Sequence, residues 1–334
     1  MDWGQIISNA LRSIVGLEAV IYGLAAIGLN MHFGYTGLLN FGQAAFLAVA
    51  AYGLAISVSI AGLPFWVGIL AGLAGAVVLA LLLGAPTLRL RADYLAIVTI
   101  AAAEIFRLVV RSATLRDQTG GSSGLPGGFA PFAEGFYDLN PFGPGEYGFG
   151  PFRFSERPFW ALVVGWTLVV LSCLVIFLLM RSPWGRVVKA IREDEDAVRS
   201  LGKNVYAYKM QSLIIGGLIG ALAGFIFALG RASVQPDLYG TELTFFAYTV
   251  LILGGAARVF GPVVGAMIFW CLLSLTDNIL FQAIDAGYIP TWLMDSNQVG
   301  QVRFMVVGLA LMLLMIFRPQ GIFGDKREIA LDAR

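Results

Sequence analysis

Long apolar runs, separated by short polar or Gly/Pro-rich stretches, follow one another along most of the chain. A helix needs roughly 20 mainly apolar residues to cross a bilayer, and several of the runs approach that length. The pattern predicts nine crossings or near-crossings, at about residues 14–29, 34–59, 65–83, 94–110, 159–180, 210–229, 244–257, 261–281 and 302–317. We therefore expect an all-α, polytopic helical membrane protein with about eight or nine transmembrane segments, built as a single transmembrane domain over residues 1–334.

The first run must be distinguished from a secretory signal peptide. It contains Glu18, is preceded by only one basic residue, Arg12, and leads directly into the next apolar run. A signal peptide has a positively charged start and a short apolar core that ends at a cleavage site of small residues. We therefore expect the run to be a retained helix.

Composition agrees with a membrane protein. Hydrophobic residues make up 58% of the chain, charged residues only 13%, and the mean hydropathy is +0.79. Soluble domains contain roughly 25% charged residues. A large soluble α/β domain with buried strands is the alternative, and the low charge content disfavours it.

Residues that would support catalysis or cofactor binding are sparse. His32 is the only histidine, and Cys173 and Cys271 both lie inside apolar runs, so we expect no metal site and no disulfide. The stretch nearest to a GxxxxGK[ST] phosphate loop, residues 202–204, lacks the hydroxyl residue and the first glycine. We expect no catalytic residue, no cofactor bound by this chain and no nucleic-acid partner. An ATPase would have to be another polypeptide.

Basic residues set the expected orientation. Seven of them occur between residues 181 and 209: Arg181, Arg186, Lys189, Arg192, Arg199, Lys203 and Lys209. Loops rich in Lys and Arg face the cytoplasm, so this segment should be internal. Counting crossings from it places Arg258 and a tail, 318–334, inside, whereas the N-terminus and the segment 111–157 fall outside.

The segment 111–157 is expected to be an extracytoplasmic loop. It includes GGSSGLPGGFAPF and NPFGPGEYGFGPF, which are too polar and too interrupted by Pro and Gly to cross a bilayer. One interpretation is a disordered linker. The other is a partly ordered cap over the external mouth, with aromatic side chains at the membrane interface or on a partner.

The stretch GRVVKAIREDEDAVRSLGKNVYAYK, residues 185–209, is the most densely charged part of the chain. Its apolar positions recur near helical spacing, and Glu195 and Arg199 stand four residues apart in the order that favours an ion pair. Gly202 is a suitable helix end, and Asn204 a suitable cap for the next helix. The pattern predicts a short helix parallel to the membrane within a cytoplasmic coupling loop, 181–209.

We expect this helix to dock in a groove on a soluble partner. The alternative is a lipid-surface helix or a solvated loop, but the acidic run 193–196 would be repelled by the anionic cytoplasmic leaflet. In the docked arrangement the acids pair with basic groups around the groove, and Ile191 and Val198 fill it. The residues assigned to this contact are Ala190, Ile191, Arg192, Glu193, Asp194, Glu195, Asp196, Ala197, Val198, Leu201 and Gly202.

Polar residues inside the apolar runs are candidates for a translocation pathway. Asn30, Asn40 and Gln43 lie among glycines, which permit broken helices that line a cavity. Glu104 and Arg107 stand three residues apart, and ionisable residues in a membrane helix usually face the bundle interior or water. The alternative for Asn30, Asn40 and Gln43 is ordinary helix packing, in which the side-chain amides form hydrogen bonds between helices. The alternative for Glu104 and Arg107 is a structural ion pair.

The stretch LGGAARVFGPVVG, residues 253–265, interrupts an otherwise continuous apolar run. It predicts a cytoplasmic turn between two crossings, with Pro262 starting the next helix. A re-entrant segment is the alternative and would change the number of crossings.

Several blocks resemble the branched-chain amino-acid ABC transporter permeases of the LivM type. They are GLNMHFGYTGLLNFGQAAF, RLRADYLAIVTIAAAEIFRLV, QTGGSSGL, AIREDEDAVRSLGKNVYAYK, LILGGAARVFGPVVGA and RPQGIFG, in this order over nearly the whole chain. The external block departs modestly, because related chains often have Asn where Ser123 stands and the Phe/Gly-rich extension is long.

This resemblance implies a type II importer-like helical fold, as in the ribose permeases, in a bacterial plasma (inner) membrane. Besides the membrane lipid, it implies three kinds of protein partner: a second homologous permease, two ABC ATPase subunits that use ATP and Mg²⁺ and dock on the coupling loop, and an extracytoplasmic solute-binding protein. The implied cargo is a branched-chain or other neutral amino acid, with urea or short amides as the alternative within the superfamily.

Two other classes of function compete with an importer subunit. A stand-alone secondary transporter would need ion-coupling carboxylates near the bilayer midplane, and only Glu104 is a candidate. A membrane-embedded enzyme would need a metal cluster or a nucleophile and base in the sequence, and none stands out.

Overall fold

The computed structural model describes residues 2–88, 92–125, 131–288, 298–318 and 320–324. Helices dominate it, which confirms the all-α prediction. The helices are α1 Trp3–Ile14, α2 Leu17–Leu29, α3 Gln43–Ala55, α4 Phe65–Thr87, α5 Ala92–Arg111, α6 Arg116–Thr119, α7 Pro131–Tyr137, α8 Glu156–Arg181, α9 Pro183–Glu193, α10 Glu195–Ser200, α11 Val205–Arg231, α12 Thr241–Gly254, α13 Gly261–Asp285 and α14 Val299–Phe317. Two π-helical segments, Asn30–Tyr35 and Ile56–Ile60, extend α2 and α3, and the strands β1 Glu146–Tyr147 and β2 Phe154–Ser155 form an antiparallel hairpin.

Six helical stretches of the described residues are long and apolar enough to cross a membrane: Trp3–Tyr35, Gln43–Ile60, Phe65–Thr87, Glu156–Arg181, Val205–Arg231 and Gly261–Asp285. The predicted fourth, seventh and ninth crossings also form helices, α5, α12 and α14. However, α5 contains four charged residues, and α12 rises only about 21 Å. The multi-pass architecture is confirmed, and the count of nine stays a prediction.

The N-terminal part of the chain differs from the prediction in one respect. A separate helix, α1, precedes the expected first crossing, and Asp2 caps it by accepting a hydrogen bond from the backbone N–H of Gln5 at 3.1 Å. The side chains of Trp3, Ile7 and Leu11 form an exposed apolar stripe along α1. Their spacing of four residues was visible in the sequence, but the helix is too short to be noticed as an apolar run.

The predicted second crossing begins later than expected. The π-helical end of α2 runs to Tyr35, an irregular segment follows over residues 36–42, and α3 starts only at Gln43. Gly37 has a φ of +74°, a left-handed conformation in which glycine is favoured. We call residues 36–42 the irregular segment. An unpaired backbone group inside a membrane protein costs free energy, so this segment needs hydrogen-bond partners from elsewhere in the fold.

Helix α11 lies at the centre of the bundle and packs against α2, α3 and α4. Gly216, Gly220 and Gly224 are spaced four residues apart on it and face these neighbours. A Cβ atom on Gly216 would lie 2.3 Å from Nε2 of His32 and 2.5 Å from the carbonyl oxygen of Gly28, and one on Gly224 would lie 2.2 Å from the carbonyl oxygen of Leu47. Small residues at such spacing let membrane helices approach backbone to backbone.

The two ends of the bundle carry different structures. At the end where α9 and α10 lie, the α9 end, the turn between α12 and α13 pairs with the chain after α14. There the N–H groups of Ile322 and Phe323 donate to the carbonyl oxygens of Leu253 and Gly254. Pro262 lies in the first turn of α13, so the predicted turn is confirmed. The opposite end, the loop end, contains the segment 111–157.

The described parts of the segment 111–157 fold onto the bundle. Phe132 is fully buried, the hydroxyl of Tyr137 donates to the carbonyl oxygen of Leu229 at 3.1 Å, and the indole N–H of Trp160 donates to that of Phe136 at 3.1 Å. These contacts match an ordered cap and not a disordered linker. Residues 126–130, which belong to the same loop, lie outside the described residues.

Replacing Gly216 with Ala tests the central packing. The added methyl meets the carbonyl oxygen of Gly28 and the hydrogen-bonded ring of His32, so we expect about 1–3 kcal/mol of destabilisation from overpacking. Gly308→Ala in α14 is the matched control, because nothing lies within 4 Å of its added Cβ. The measurement is the thermal unfolding midpoint of the purified chain in detergent, and equal midpoints for the two variants would contradict the proposed contact.

Candidate functional site

The charged segment forms two short helices instead of the single predicted one. Helix α9 begins behind Ser182, whose Oγ accepts the N–H of Gly185, and ends at Glu193. Asp194, in an extended conformation, breaks the helix and caps α10 by accepting the N–H of Ala197 at 2.9 Å. The sequence prediction missed this break because Asp194 lies in an uninterrupted run of acids that has no glycine or proline.

The predicted end of this segment is confirmed. Gly202 has a φ of +74° just after α10. Asn204 caps α11 by accepting the N–H of Ala207 at 3.1 Å. The predicted pair of Glu195 and Arg199 is also present, with a nitrogen–oxygen distance of 2.8 Å.

The apolar positions of the segment face the protein. Ile191, Val198 and Val205 form a buried cluster against which Ala190 packs. The expectation that Ile191 and Val198 fill a groove on a partner is therefore wrong for this conformation, because α9 and α10 use both side chains to pack on α11. Leu201 is the apolar side chain left available, at 78% exposure.

The acids of the segment divide into two groups. Glu195 is half-buried and contacts both Arg199 and Nζ of Lys209 in α11, so it holds α10 on the bundle. Glu193, Asp194 and Asp196 are exposed, together with Ala197 and Gly202. The side chain of Asp196 is 89% exposed, and its Oδ1 lies 2.9 Å from Nη1 of Arg199.

Helix α9 also contacts the start of the irregular segment. Nη1 of Arg192 donates to the carbonyl oxygen of Gly34 at 2.5 Å, and the Arg192 side chain lies against Gly37. The ammonium group of Lys189 lies 5.8 Å from the ring centre of Tyr35. The charged surface of α9 is thus connected directly to the point where the first long helix ends.

Behind this contact lies a buried network of polar side chains. Nε2 of His32 is 3.1 Å from the carbonyl oxygen of Leu213, and Nδ2 of Asn40 is 3.0 Å from Nδ1 of His32. A carbonyl oxygen only accepts, so Nε2 carries the proton and Nδ1 accepts from the amide. Oδ1 of Asn40 accepts the N–H of Gly42 at 2.9 Å, and Nδ2 of Asn40 reaches Oε1 of Gln43 at 3.5 Å.

Side chains from other helices complete the bonding of the irregular segment. The hydroxyl of Tyr248 donates to the carbonyl oxygen of Asn40 at 2.9 Å, and Oγ1 of Thr99 accepts the N–H of Phe41 at 3.0 Å. The Ser212 and Thr36 side chains also hydrogen-bond to each other, with 2.5 Å between Oγ of Ser212 and Oγ1 of Thr36. The bonds of Tyr248 and Thr99 satisfy backbone groups that a continuous helix would satisfy by itself.

The predicted pathway amides are part of this packing. Asn30, Asn40 and Gln43 are at most 1% exposed. Asn30 bridges to the turn at the α9 end, where Oδ1 accepts the N–H of Ala257 and Nδ2 donates to the carbonyl oxygen of Arg258, both at 2.8 Å. In this conformation the structure places all three as interhelical hydrogen-bonding groups, the alternative that the sequence had left open.

The predicted ion pair lies at the loop end, on the rim of a cavity of about 500 Å³. Arg107 contacts both carboxylate oxygens of Glu104, at 2.9 and 2.5 Å. Nη1 of Arg107 and Nη1 of Arg111 also lie 2.8 and 2.9 Å from Oδ1 of Asp237. The pair is therefore both a structural ion pair and part of a cavity wall, and the structure brings it close to no predicted amide.

Metal-binding chemistry finds no support in the described part of the chain. It contains no group of three or more His, Cys, Asp or Glu side chains arranged to hold a metal ion. Cys173 and Cys271 are both free thiols.

Comparison with known proteins identifies the family. The family described as "Branched-chain amino acid transport system / permease component" matches residues 13–316. The chain belongs to this permease family. It is 32% identical to the high-affinity branched-chain amino acid transport system permease protein LivM of Escherichia coli K12, over 96% of this chain and 71% of that protein.

Two further similarities were found. The probable branched-chain amino acid transport permease protein LivM of Methanocaldococcus jannaschii is 26% identical over 95% of this permease and 94% of that protein. A solved structure, PsaBC from Streptococcus pneumoniae in complex with Fab, covers 98% of this chain and 94% of that chain, with 15% identity and a TM-score of 0.41. This last similarity is too weak to support a conclusion.

Sequence reasoning missed several residues of the permease's polar network. His32 was considered only as a metal ligand, and Thr36, Ser212 and Tyr248 were not singled out. Their signal was weak, because isolated hydroxyls in membrane helices commonly bond to their own helix. The partner of Arg107, Asp237, lies 130 residues away in sequence, and no local spacing connects the two.

Replacing Asn40 with Ala tests the network. The change removes the acceptor for the Gly42 N–H and the donor to His32, and leaving buried groups unpaired costs about 1–3 kcal/mol. We expect a lower thermal unfolding midpoint in detergent. Ser200→Ala is the control, because its exposed hydroxyl bonds only to its own helix; if Asn40→Ala were no less stable than this control, the network would not hold the irregular segment.

Proposed function

We propose that this permease is the membrane subunit of an ATP-driven importer of branched-chain amino acids and forms half of the translocation pathway. In this proposal it pairs with a second permease, two ATPase subunits act at the α9 end, and a solute-binding protein delivers substrate at the loop end. The LivM relatives are named as branched-chain amino acid transport permeases, which supports the choice of substrate.

The α9 end is proposed to be cytoplasmic. The seven basic residues between 181 and 209 lie there, and the positive-inside rule places such a segment in the cytoplasm. The turn after α12 and the chain after α14 lie at the same end. The tail is then cytoplasmic, the N-terminus and the loop end face outward, and the membrane is the bacterial plasma membrane.

The observation that carries the proposal is the contact of Arg192 with Gly34. The exposed acids Glu193, Asp194 and Asp196 lie at the end of α9 and on the start of α10. The inner side of α9 bonds through Arg192 to the carbonyl oxygen of Gly34, at the end of the first long helix. A displacement of α9 by a partner would therefore pull on the irregular segment and on the hydrogen bonds behind it. Helix α10 has its own connection, from Glu195 to Lys209 of α11.

The space around these contacts permits such a displacement. A cavity of about 240 Å³ lies beside this contact, and Gly37, Arg192, Glu195 and Lys209 line it. Ordered interiors have few voids much larger than a water molecule. ATP binding and hydrolysis by the partner subunits would supply the free energy, and this chain would contribute no nucleotide-binding residue.

Arg192→Ala tests the connection in the reconstituted complex of both permeases, the ATPases and the binding protein. We expect assembly to survive and substrate-stimulated ATP turnover to fall about tenfold, the size of a typical coupling energy. Arg186→Ala on the same helix is the control, because Arg186 is exposed and has no partner among the described residues. Equal turnover in both variants would refute transmission through Arg192.

Charge reversal tests docking separately. Glu193→Lys with Asp196→Lys changes two exposed acids and leaves Glu195, which holds α10 in place, untouched. We expect the ATPase subunits to dissociate at least about tenfold more readily, because like charges across an interface cost several kcal/mol. Glu134→Lys with Asp138→Lys at the loop end is the matched control, with the same change in net charge. Retention of the ATPases by all variants on co-purification would refute the docking surface.

A further inference from the structure

The cavity at the loop end has an unusual distribution of charge. Three carboxylates and two guanidinium groups line it, those of Glu104, Asp237, Glu242, Arg107 and Arg231. The net charge of the lining is therefore one negative unit. Its floor is apolar and aromatic, with Tyr22, Phe227 and Phe246.

Every charged group of the rim except one has a partner. Glu104 is held by Arg107, Asp237 is shared by Arg107 and Arg111 at 2.8 and 2.9 Å, and Arg231 contacts Glu18 at 2.6 Å. Glu242 has no cation within 4 Å among the described residues. This exposed carboxylate, in the first turn of α12, accounts for the unbalanced charge.

Next to Glu242 are groups suited to the rest of an amino acid. Tyr22, Arg231 and Glu242 line the same cavity, and Glu18 contacts Arg231 at 2.6 Å. Arg231 uses one nitrogen for Glu18 and stacks on Phe227 at 4.7 Å, which leaves further N–H donors towards the cavity. The hydroxyl of Tyr22 makes no hydrogen bond within the described part of the chain. The Tyr22 ring packs edge-on against the Phe246 ring, with 6.2 Å between the ring centroids.

We infer that this cavity is an entry site for a zwitterionic amino acid with an apolar side chain. Glu242 binds the ammonium group, Arg231 and the Tyr22 hydroxyl bind the carboxylate, and the Tyr22 and Phe246 rings contact the side chain. This inference rests on the proposed function, because an importer must receive its substrate at the end opposite the ATPases. It gives the permease a substrate preference of its own, separate from that of the binding protein.

The chemistry of the site explains why three matched ion pairs surround one unmatched acid. The pairs formed by Glu104 and Asp237 with Arg107 and Arg111 fix one wall and cancel one another's charge. Arg231 contacts Glu18 through one nitrogen and keeps its other N–H donors for a carboxylate. An ammonium ligand supplies the one missing positive charge. A solvated acid stabilised only by the start of α12 would give the same structure but would have no role in binding.

Ligand-observed NMR on the full chain in nanodiscs, without ATPase or binding protein, separates these two cases. The probes are L-leucine, 4-methylpentanoate, which lacks the amine, and isopentylamine, which lacks the carboxylate. We expect leucine to bind more tightly than either analogue. Glu242→Gln should weaken leucine binding about 10- to 100-fold, as expected for loss of a charge-assisted hydrogen bond, and should abolish the preference over 4-methylpentanoate.

Glu134→Gln is the matched control, an exposed acid at the same end but outside the cavity, and it should leave leucine affinity unchanged. Because Glu242 is exposed and makes no ion pair with any described residue, its substitution does not threaten folding. Equal leucine affinity of Glu242→Gln and the unsubstituted chain, equal binding of leucine and 4-methylpentanoate, or no leucine binding at all would each overturn the entry site. These outcomes would leave ATP coupling through Arg192 unaffected, so the two proposals fail independently.

Discussion

The close approach of α11 to α2 and α3 is the constraint on which the rest of the structure depends. Within the bilayer the hydrophobic effect does not favour helix–helix contacts over helix–lipid contacts, because lipid tails are as apolar as the side chains. Close packing and hydrogen bonds therefore determine which helices associate. Gly28 and Gly216 bring two backbones to within a distance that no Cβ would permit. That distance places the Leu213 carbonyl oxygen within reach of His32, and the Ser212 hydroxyl within reach of Thr36.

The irregular segment exists because those side chains are available. Most of residues 36–42 lie outside the helical ladders, and each buried backbone group left unpaired there would cost several kcal/mol. Here Asn40, Thr99 and Tyr248, from three different parts of the chain, bond to backbone groups of the segment. A continuous helix would be rigid over its whole length. This segment instead depends on side-chain hydrogen bonds, which can be exchanged for other hydrogen bonds at a smaller cost in free energy.

The helix ends that the sequence predicted correctly depend on local chemistry, whereas the start of α3 and the surface that covers α9 and α10 depend on tertiary contacts. Gly202, Asn204 and Pro262 end or begin helices by their own backbone and side-chain chemistry, so their positions could be inferred without a structure. The start of α3 at Gln43 could not, because apolar residues continue through the break and its hydrogen-bond partners lie 58 to 208 residues away. The same reason explains why Ile191 and Val198 were assigned to a partner. Helical spacing indicates an apolar face but not which surface covers it.

The two attachments of the charged segment differ in what they can transmit. Arg192 on α9 holds the end of the first long helix, and Glu195 on α10 holds α11, with a non-helical joint at Asp194 between them. Helices α2 and α11 pack backbone to backbone at Gly28 and Gly216, where no Cβ atom would fit. A change in their relative position would therefore require this close-packed contact to be rebuilt. A partner that moved α9 relative to α10 would therefore displace the irregular segment, where the bonds of Asn40 and Thr36 can be rearranged, and leave the packed helices as rigid units.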